Sequence, residues 1–326
     1  MPLAATQDEP VVAWSPNEGP QTRFLSSVAG EVLYGGAAGG GKSQGLIACP
    51  LRWIHNPNYR GLYLRREATY LGDAVDKTRK LYTQLGATLV QSPRIEWRFP
   101  SGATLWMGHC QHENDIANYD SFEFSEVLWD ELTHFTEKQY LGVCARLRGT
   151  DRSLPYWSRA ATNPGGVGND WVFARWAAWL DKESDVRAVP GEVLWYDSDE
   201  LVPAGTATAV SRTFIPALLR DNPHADTPGY RAKIRQLDPV RRAQLEEGRW
   251  DAKPRPKTYW NSALVQMLDG VPPKVSARVR CWDFGASLKG DWTVGLRASV
   301  TPERLVVIEH VIRFRGPPNE VRAKFK

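Results

Sequence analysis

The chain has 326 residues, 42% of them hydrophobic, and a formal net charge of +4, enough for about two domains with cores of their own and too modest a charge to name a partner by itself. No run of about 18 apolar residues occurs, and Met1 to Pro10 lacks the basic and apolar parts of a signal peptide, so an intracellular protein is expected. Cys49, Cys110, Cys144 and Cys281 are scattered without a C-x-x-C pair, which argues against a zinc site or a disulfide framework.

Residues 1–18 read as a loose arm rich in proline and acid. Gln21 follows, shortly before the apolar stretch Val32-Leu33-Tyr34. Next comes Gly36-Ala-Ala-Gly-Gly-Gly-Lys42-Ser43, which fits G-x-x-x-x-G-K-[ST] and precedes a helix predicted over 43–49. A polyphosphate is best held by a loop that turns backbone N–H groups inward and ends at a helix N-terminus. Gly36, Gly39, Gly40 and Gly41 free the backbone for that approach. Lys42 would reach the β and γ oxygens of ATP, and the Ser43 hydroxyl would ligate Mg²⁺. The Gln21 amide carries the donor and acceptor that an adenine edge requires; an exposed glutamine at a helix start is the alternative.

Gly61 to Arg65 reads as a buried strand ending in Arg65-Arg66, and the spacing of Leu71, Val75, Thr78, Leu81 and Tyr82 predicts a helix over 69–85. Ile95, Trp97 and Phe99 alternate with polar residues, and the Pro100-Ser101-Gly102 turn leads into 103–107, a β-hairpin. Val127-Leu128-Trp129 is an apolar strand ending in Asp130-Glu131. Asp130 is placed to hold Mg²⁺ through its water shell, and Glu131 to polarise an attacking water.

A helix is predicted over 136–148, closing with Arg146 and Arg148. These arginines either complement the helix dipole or act as an arginine finger. Residues 156–161 form a strand ending at Thr162-Asn163-Pro164, where polar groups either sense a γ-phosphate or make a turn. Residues 169–180 read as a tryptophan-rich helix, with Trp171, Trp176 and Trp179 in the core, and 181–209 as a polar loop with a hairpin. The run from Phe214 through Asp221-Asn222-Pro223 to Gly248-Arg249-Trp250 reads as a two-helix element. A proline-marked linker follows over 252–275, then three strands of a meander containing Asp283.

Taken together, Gly35 to Ser43, Trp129-Asp130-Glu131, Thr162-Asn163-Pro164 and the run from Asp221 to Trp250 resemble the large terminase subunit of tailed bacteriophages. The resemblance spans nearly the whole chain beyond the arm, and the Asp221 to Trp250 run is its most telling part, having no generic phosphate-loop explanation. It implies an α/β fold: an additional-strand, catalytic-glutamate P-loop ATPase with a mostly parallel sheet (19–210), a helical linker subdomain (211–275), and a partial RNase H-like nuclease domain (276–326). The implied function is an ATP-driven motor that moves double-stranded DNA into a procapsid. The alternatives are a helicase-like ATPase acting on nucleic acid, or a remnant that binds nucleotide and DNA without turnover.

The same resemblance assigns adenine contact to Gln21, phosphate binding to Gly36 through Ser43, Mg²⁺ to Ser43 and Asp130, and the catalytic base to Glu131. It assigns coupling to Thr162 and Asn163, and a trans-acting arginine to Arg146 or Arg148. Asp283 matches the first metal ligand of a nuclease that uses Mg²⁺ or Mn²⁺. Its two further acidic partners have no match, so cleavage is expected to be absent. The implied partners are double-stranded DNA, the portal protein, the small terminase subunit and further copies of the chain in a ring, all in the host cytoplasm.

Overall fold

A computed structural model describes residues 14–252, 268, 270, 274–283 and 292–314. The chain divides into two units, Met1–Pro254 and Arg255–Lys326. In the first unit the strands are β1 (Glu31–Gly36), β2 (Arg60–Arg65), β3 (Thr88–Val90), β4 (Glu96–Arg98), β5 (Thr104–His109), β6 (Glu126–Asp130), β7 (Trp157–Thr162), β8 (Leu194–Asp197), β9 (Glu200–Val202) and β10 (Val210–Ala217). The helices are α1 (Pro20–Ser26), α2 (Lys42–Ala48), α3 (Leu71–Tyr82), α4 (Glu137–Cys144), α5 (Asn169–Arg175), α6 (Ala177–Leu180), α7 (Pro228–Arg235) and α8 (Pro239–Glu246).

All ten strands form one sheet in the order β3-β4-β5-β2-β6-β7-β1-β10-β8-β9. The six from β5 to β10 are parallel, and the pairs at both margins are antiparallel. Every residue of β1 and of β6 is buried, as expected of strands covered on both faces, and this explains their uninterrupted apolar runs. Alternation then sorts side chains between two layers. Val32, Tyr34, Leu128 and Ile215 face a core shared with Phe24, Leu46, Leu81 and Tyr82. Leu33, Val127, Trp129 and Phe214 face a second core with Tyr140, Val172, Trp176 and Trp250.

The additional strand implied by the resemblance is β7, inserted between the phosphate-loop strand β1 and the Asp-Glu strand β6. The hairpin expected at 95–107 is β4–β5. Three elements differ from expectation. Residues 214–217 are not part of a helical element: they complete β10, which pairs in parallel register with β1, so the boundary expected at 210/211 falls inside this sheet. Strand β1 otherwise would leave its hydrogen-bonding groups open on that side, and the ladder outweighs local helical spacing. Only α7 and α8 answer to the two-helix reading.

Helix α4 starts where Thr136 and Gln139 cap each other reciprocally. It stops at Cys144, short of Arg148, because the chain turns to pair with the approach to β6: Phe124 N donates to Arg146 O, and Phe124 bridges Leu147. The tryptophan-rich helix is broken at Trp176, whose buried indole donates to Thr213 O. Among the described residues no helix is long and apolar enough to cross a membrane.

The described part of the second unit is an antiparallel meander of β11 (Ala277–Asp283), β12 (Thr293–Val300) and β13 (Val306–Phe314), with an irregularity after Arg297. Val306 and Ile308 are exposed. The linker prolines Pro254, Pro256, Pro272 and Pro273 and the helix expected after Pro317-Pro318 lie outside the described residues.

Trp250 is buried against Phe214 and sits so close to β1 that a Cβ on Gly35 would lie 2.7 Å from its ring. Replacing Trp250 by Ala therefore should lower the unfolding free energy by about 3–5 kcal/mol in chemical denaturation. A loss below about 1 kcal/mol would mean that this ring does not hold β1 from outside.

Candidate active site

Because β2, β6, β7, β1 and β10 run parallel, their carboxyl ends bring Arg65, Asp130, Thr162, Gly36 and Ala217 to one edge, the edge at which open α/β sheets bind ligands. The loop from β1 to α2 is held from outside. Its carbonyls accept hydrogen bonds from Lys42 Nζ at Ala37, Asn222 Nδ2 at Gly39 (2.7 Å), Tyr34 Oη at Gly40 (3.0 Å) and Gln21 Nε2 at Gly41 (2.8 Å). Ala37 N donates to Ala217 O at 2.7 Å, and Ala38 N to Leu245 O at 2.8 Å. Glycine is required where the loop touches these supports. A Cβ on Gly36 would lie 2.6 Å from Ala217 O, and one on Gly39 would lie 2.6 Å from Leu219 Cδ1.

Asp130 is buried and fully engaged. It accepts from Tyr63 Oη (2.6 Å), from Arg65 Nε (2.8 Å) and Nη2 (2.6 Å), and from Ser43 Oγ (3.2 Å). Burial works to lower the Arg65 pKa, but Asp130 more than offsets this and holds the guanidinium charged. The same burial pushes the Lys42 ammonium down to about 7, against the opposing pull of Asp130 and Glu131. Ser43 and Asp130 thus present two hard oxygen donors beside the loop, a donor set that fits Mg²⁺.

Glu131 has φ 61°, a conformation uncommon for a side chain of its kind. The turn is held by Glu131 N donating to Ala161 O at 2.7 Å and by His134 N donating to Glu131 O at 2.8 Å. His134 Nδ1 lies 3.1 Å from the Glu131 carboxylate, and this hydrogen bond keeps the carboxyl below its usual range. Arg66 pins the turn by donating to His134 O and to Gln139 Oε1.

At the end of β7 the hydroxyls of Thr162 and Thr133 are 2.8 Å apart, and each lies 3.1 Å from Asn163 O, so one donates to the other and the second to Asn163 O. Asn163 Oδ1 is buried with no hydrogen-bond partner. Arg241 of α8 donates to Pro164 O at 3.3 Å, so α8 touches both this turn and, through Leu245, the phosphate loop.

The structure therefore brings Gly36 to Ser43, Asp130, Glu131, Thr162 and Asn163 to one edge. Arg146 and Arg148 are elsewhere, paired with Asp120 and Glu123 at the opposite end of β6. The length of strand from Phe124 to Asp130 places them about 20 Å from their own loop. Gln21 is buried, with its Oε1 accepting from Asn17 N at 2.7 Å and its Nε2 on Gly41, beside a cleft of ≈280 Å³ lined by Trp14, Asn17, Gln44, Asn222 and His224. Asp283 ends β11 opposite Val294, and Glu309 is held by Arg278 and Arg297, both at 2.9 Å.

Sequence reasoning missed Tyr63, His134, Asn17 and Leu245, and it did not connect Arg65 or Asn222 to this site. The only signals were the arginine pair at a strand end and the unexplained Asp221-Asn222-Pro223.

The family described as terminase large subunit, T4likevirus-type, N-terminal, matches this chain over residues 33–267. Among solved structures, the large terminase from a thermophilic bacteriophage is similar in two crystal forms. One has a TM-score of 0.51 and the other 0.50, each at 11% identity and covering 95% of this chain and 73% of that one. At that identity the likeness concerns the fold. No curated protein matches.

Removing Arg65 would leave the Asp130 carboxylate buried with too little positive charge. Arg65→Ala is expected to destabilise the protein by about 3–5 kcal/mol in equilibrium unfolding, and adding Asp130→Asn should recover most of that loss. Additive losses in the double variant would contradict the pairing.

Proposed function

The chain belongs to the terminase large subunit family, and on that premise we propose that it is a DNA-packaging motor that hydrolyses ATP at the β1–α2 loop and uses the cycle to move double-stranded DNA into a viral procapsid. The observation that carries this reading is the convergence of the loop, Ser43, Asp130 and Glu131 on one sheet edge, with the loop carbonyls turned away by outside donors.

Lys42 would leave Ala37 O to meet the β and γ oxygens, gaining a partner of greater charge than a carbonyl. Ser43 and Asp130 would hold Mg²⁺, which when bound draws charge from the phosphate oxygens. Glu131 is the proposed base, aimed by its turn and kept ionised by His134, ready to orient a water and take its proton. Thr162 and Asn163 are proposed to sense the γ-phosphate. Their link to α8 through Pro164 and Arg241 gives hydrolysis a mechanical outlet.

Arg146 and Arg148, about 20 Å from their own loop, are proposed to serve a neighbouring copy's nucleotide in a ring on the portal. Double-stranded DNA, the portal, the small terminase subunit and the host cytoplasm complete the proposal. The tandem Arg65-Arg66 is compatible with the helicase-like alternative, but both side chains are engaged at the site itself. Residues 274–314 by themselves are proposed not to cut DNA: a two-metal site needs several carboxylates around cations about 3.5–4 Å apart, and Glu309 is bound to arginines away from Asp283.

Lys42→Ala should lose nucleotide affinity, whereas Glu131→Gln should keep ATP bound and lose turnover, as read by nucleotide titration beside a phosphate-release assay. Equal loss of binding in both would refute the two roles. Turnover should rise with protein concentration and with double-stranded DNA, without strand separation. Alanine at whichever of Arg146 and Arg148 acts in trans should remove about 10³-fold or more of that stimulated rate. Fast turnover by a proven monomer would rule out the trans arginine.

A further inference from the structure

Gln21 and Asn222 come from segments at opposite ends of the first unit's sequence, yet they grip alternate carbonyls of one loop. Gln21 Nε2 donates to Gly41 O at 2.8 Å, and Asn222 Nδ2 donates to Gly39 O at 2.7 Å. Asn17 joins them: its N–H donates to Gln21 Oε1 at 2.7 Å and its side chain donates to Asn222 Oδ1 at 3.3 Å. Both ends of the Gln21 amide are thus engaged by backbone groups. The side chain is buried flat against the loop, where a Cβ on Gly41 would lie 3.0 Å from Nε2 and one on Gly45 would lie 3.4 Å from Cγ.

Reading an adenine edge takes a free acceptor and a free donor on the same side of an amide. Gln21 commits one of its two N–H groups to Gly41 and one acceptor position to Asn17, and with 3% of its surface exposed it cannot turn the remaining pair to a base without leaving the loop. Resting on the nucleotide-binding reading above, we infer that Gln21 and Asn222 are positioning residues of the phosphate loop, which hold the Gly41 and Gly39 carbonyls outward so that the loop amides face the phosphates, and that Gln21 does not read the base. The Asp221-Asn222-Pro223 run is then explained physically, since Asp221 accepts from Leu218 N at 2.8 Å and so fixes the turn that presents Asn222 to the loop.

The test titrates Mg²⁺ with ATP, GTP or inorganic tripolyphosphate into the full chain and into Gln21→Ala, Gln21→Glu and Asn222→Asp. The two acidic variants keep side-chain shape but lose the donor to the loop and add a negative charge, so the uniform loss must also appear in the uncharged Gln21→Ala to count for the inference, and thermal melts identify the variants that remain folded. Folded variants should lose affinity for all three ligands together, by about tenfold, with the ATP-to-GTP ratio unmoved. A general loss of structure would lower the melting temperature instead. Loss confined to ATP, with tripolyphosphate bound as before, would show that Gln21 reads adenine and overturn the inference. Unchanged affinity for all three would overturn it as well. Failure of the unsubstituted chain to bind either ATP or tripolyphosphate would refute the site itself, a result visible before any variant is made.

Discussion

The structure of this site depends on the planarity of the peptide unit. In a trans peptide the C=O of one residue and the N–H of the next point in opposite directions, so whatever holds the carbonyl on one side aims the amide to the other. Outward carbonyls at Gly39, Gly40 and Gly41 therefore direct the N–H groups of Gly40, Gly41 and Lys42 the opposite way, toward a common centre. The donors that do this come from α1, β1 and the turn after β10. A loop of glycines has no conformational preference strong enough to do this unaided.

Charge imposes the second constraint. Lys42 and Arg65 stand against Asp130 and Glu131 at the ends of α2, β2 and β6; the first three are largely removed from water, and Glu131 is partly exposed. Paired groups are tolerated there, and unpaired ones are not. Asp130 is bound to Arg65, Tyr63 and Ser43, while Lys42 is hydrogen-bonded to the Ala37 carbonyl, and burial lowers its pKa against the pull of Asp130 and Glu131. A polyphosphate would supply the anion that Lys42 lacks. Glu131 is managed separately, by a strained turn and by His134, which keeps the carboxylate ionised and beside the Thr162–Asn163 turn.

Much of this was legible because the relevant signals are local. Gly36 to Ser43 is contiguous, and the alternation over 95–107 and the apolar run into Asp130-Glu131 each sit within one strand or hairpin. Residues whose role depends on distant partners were not legible. Phe214 to Ala217 carry helical spacing, but the open side of β1 makes them a strand. Arg146 and Arg148 continue a helical pattern that tertiary pairing with Phe124 ends at Cys144. Gln21 was expected at an adenine edge because the residue type suits it; that its amide is already engaged by Asn17 and Gly41 is a fact of three-dimensional packing. Asn222 stood out only as a residue with no local explanation.

A crystal structure of the chain with Mg²⁺ and a slowly hydrolysed ATP analogue tests the central claim most directly. The account predicts that Gly39, Gly40 and Gly41 keep their carbonyls on Asn222, Tyr34 and Gln21, while Lys42 moves from Ala37 O to the phosphates and Asp130 turns from Arg65 toward the metal. A loop whose Gly39 or Gly41 peptide has flipped, with Gln21 released to the adenine ring, would contradict it.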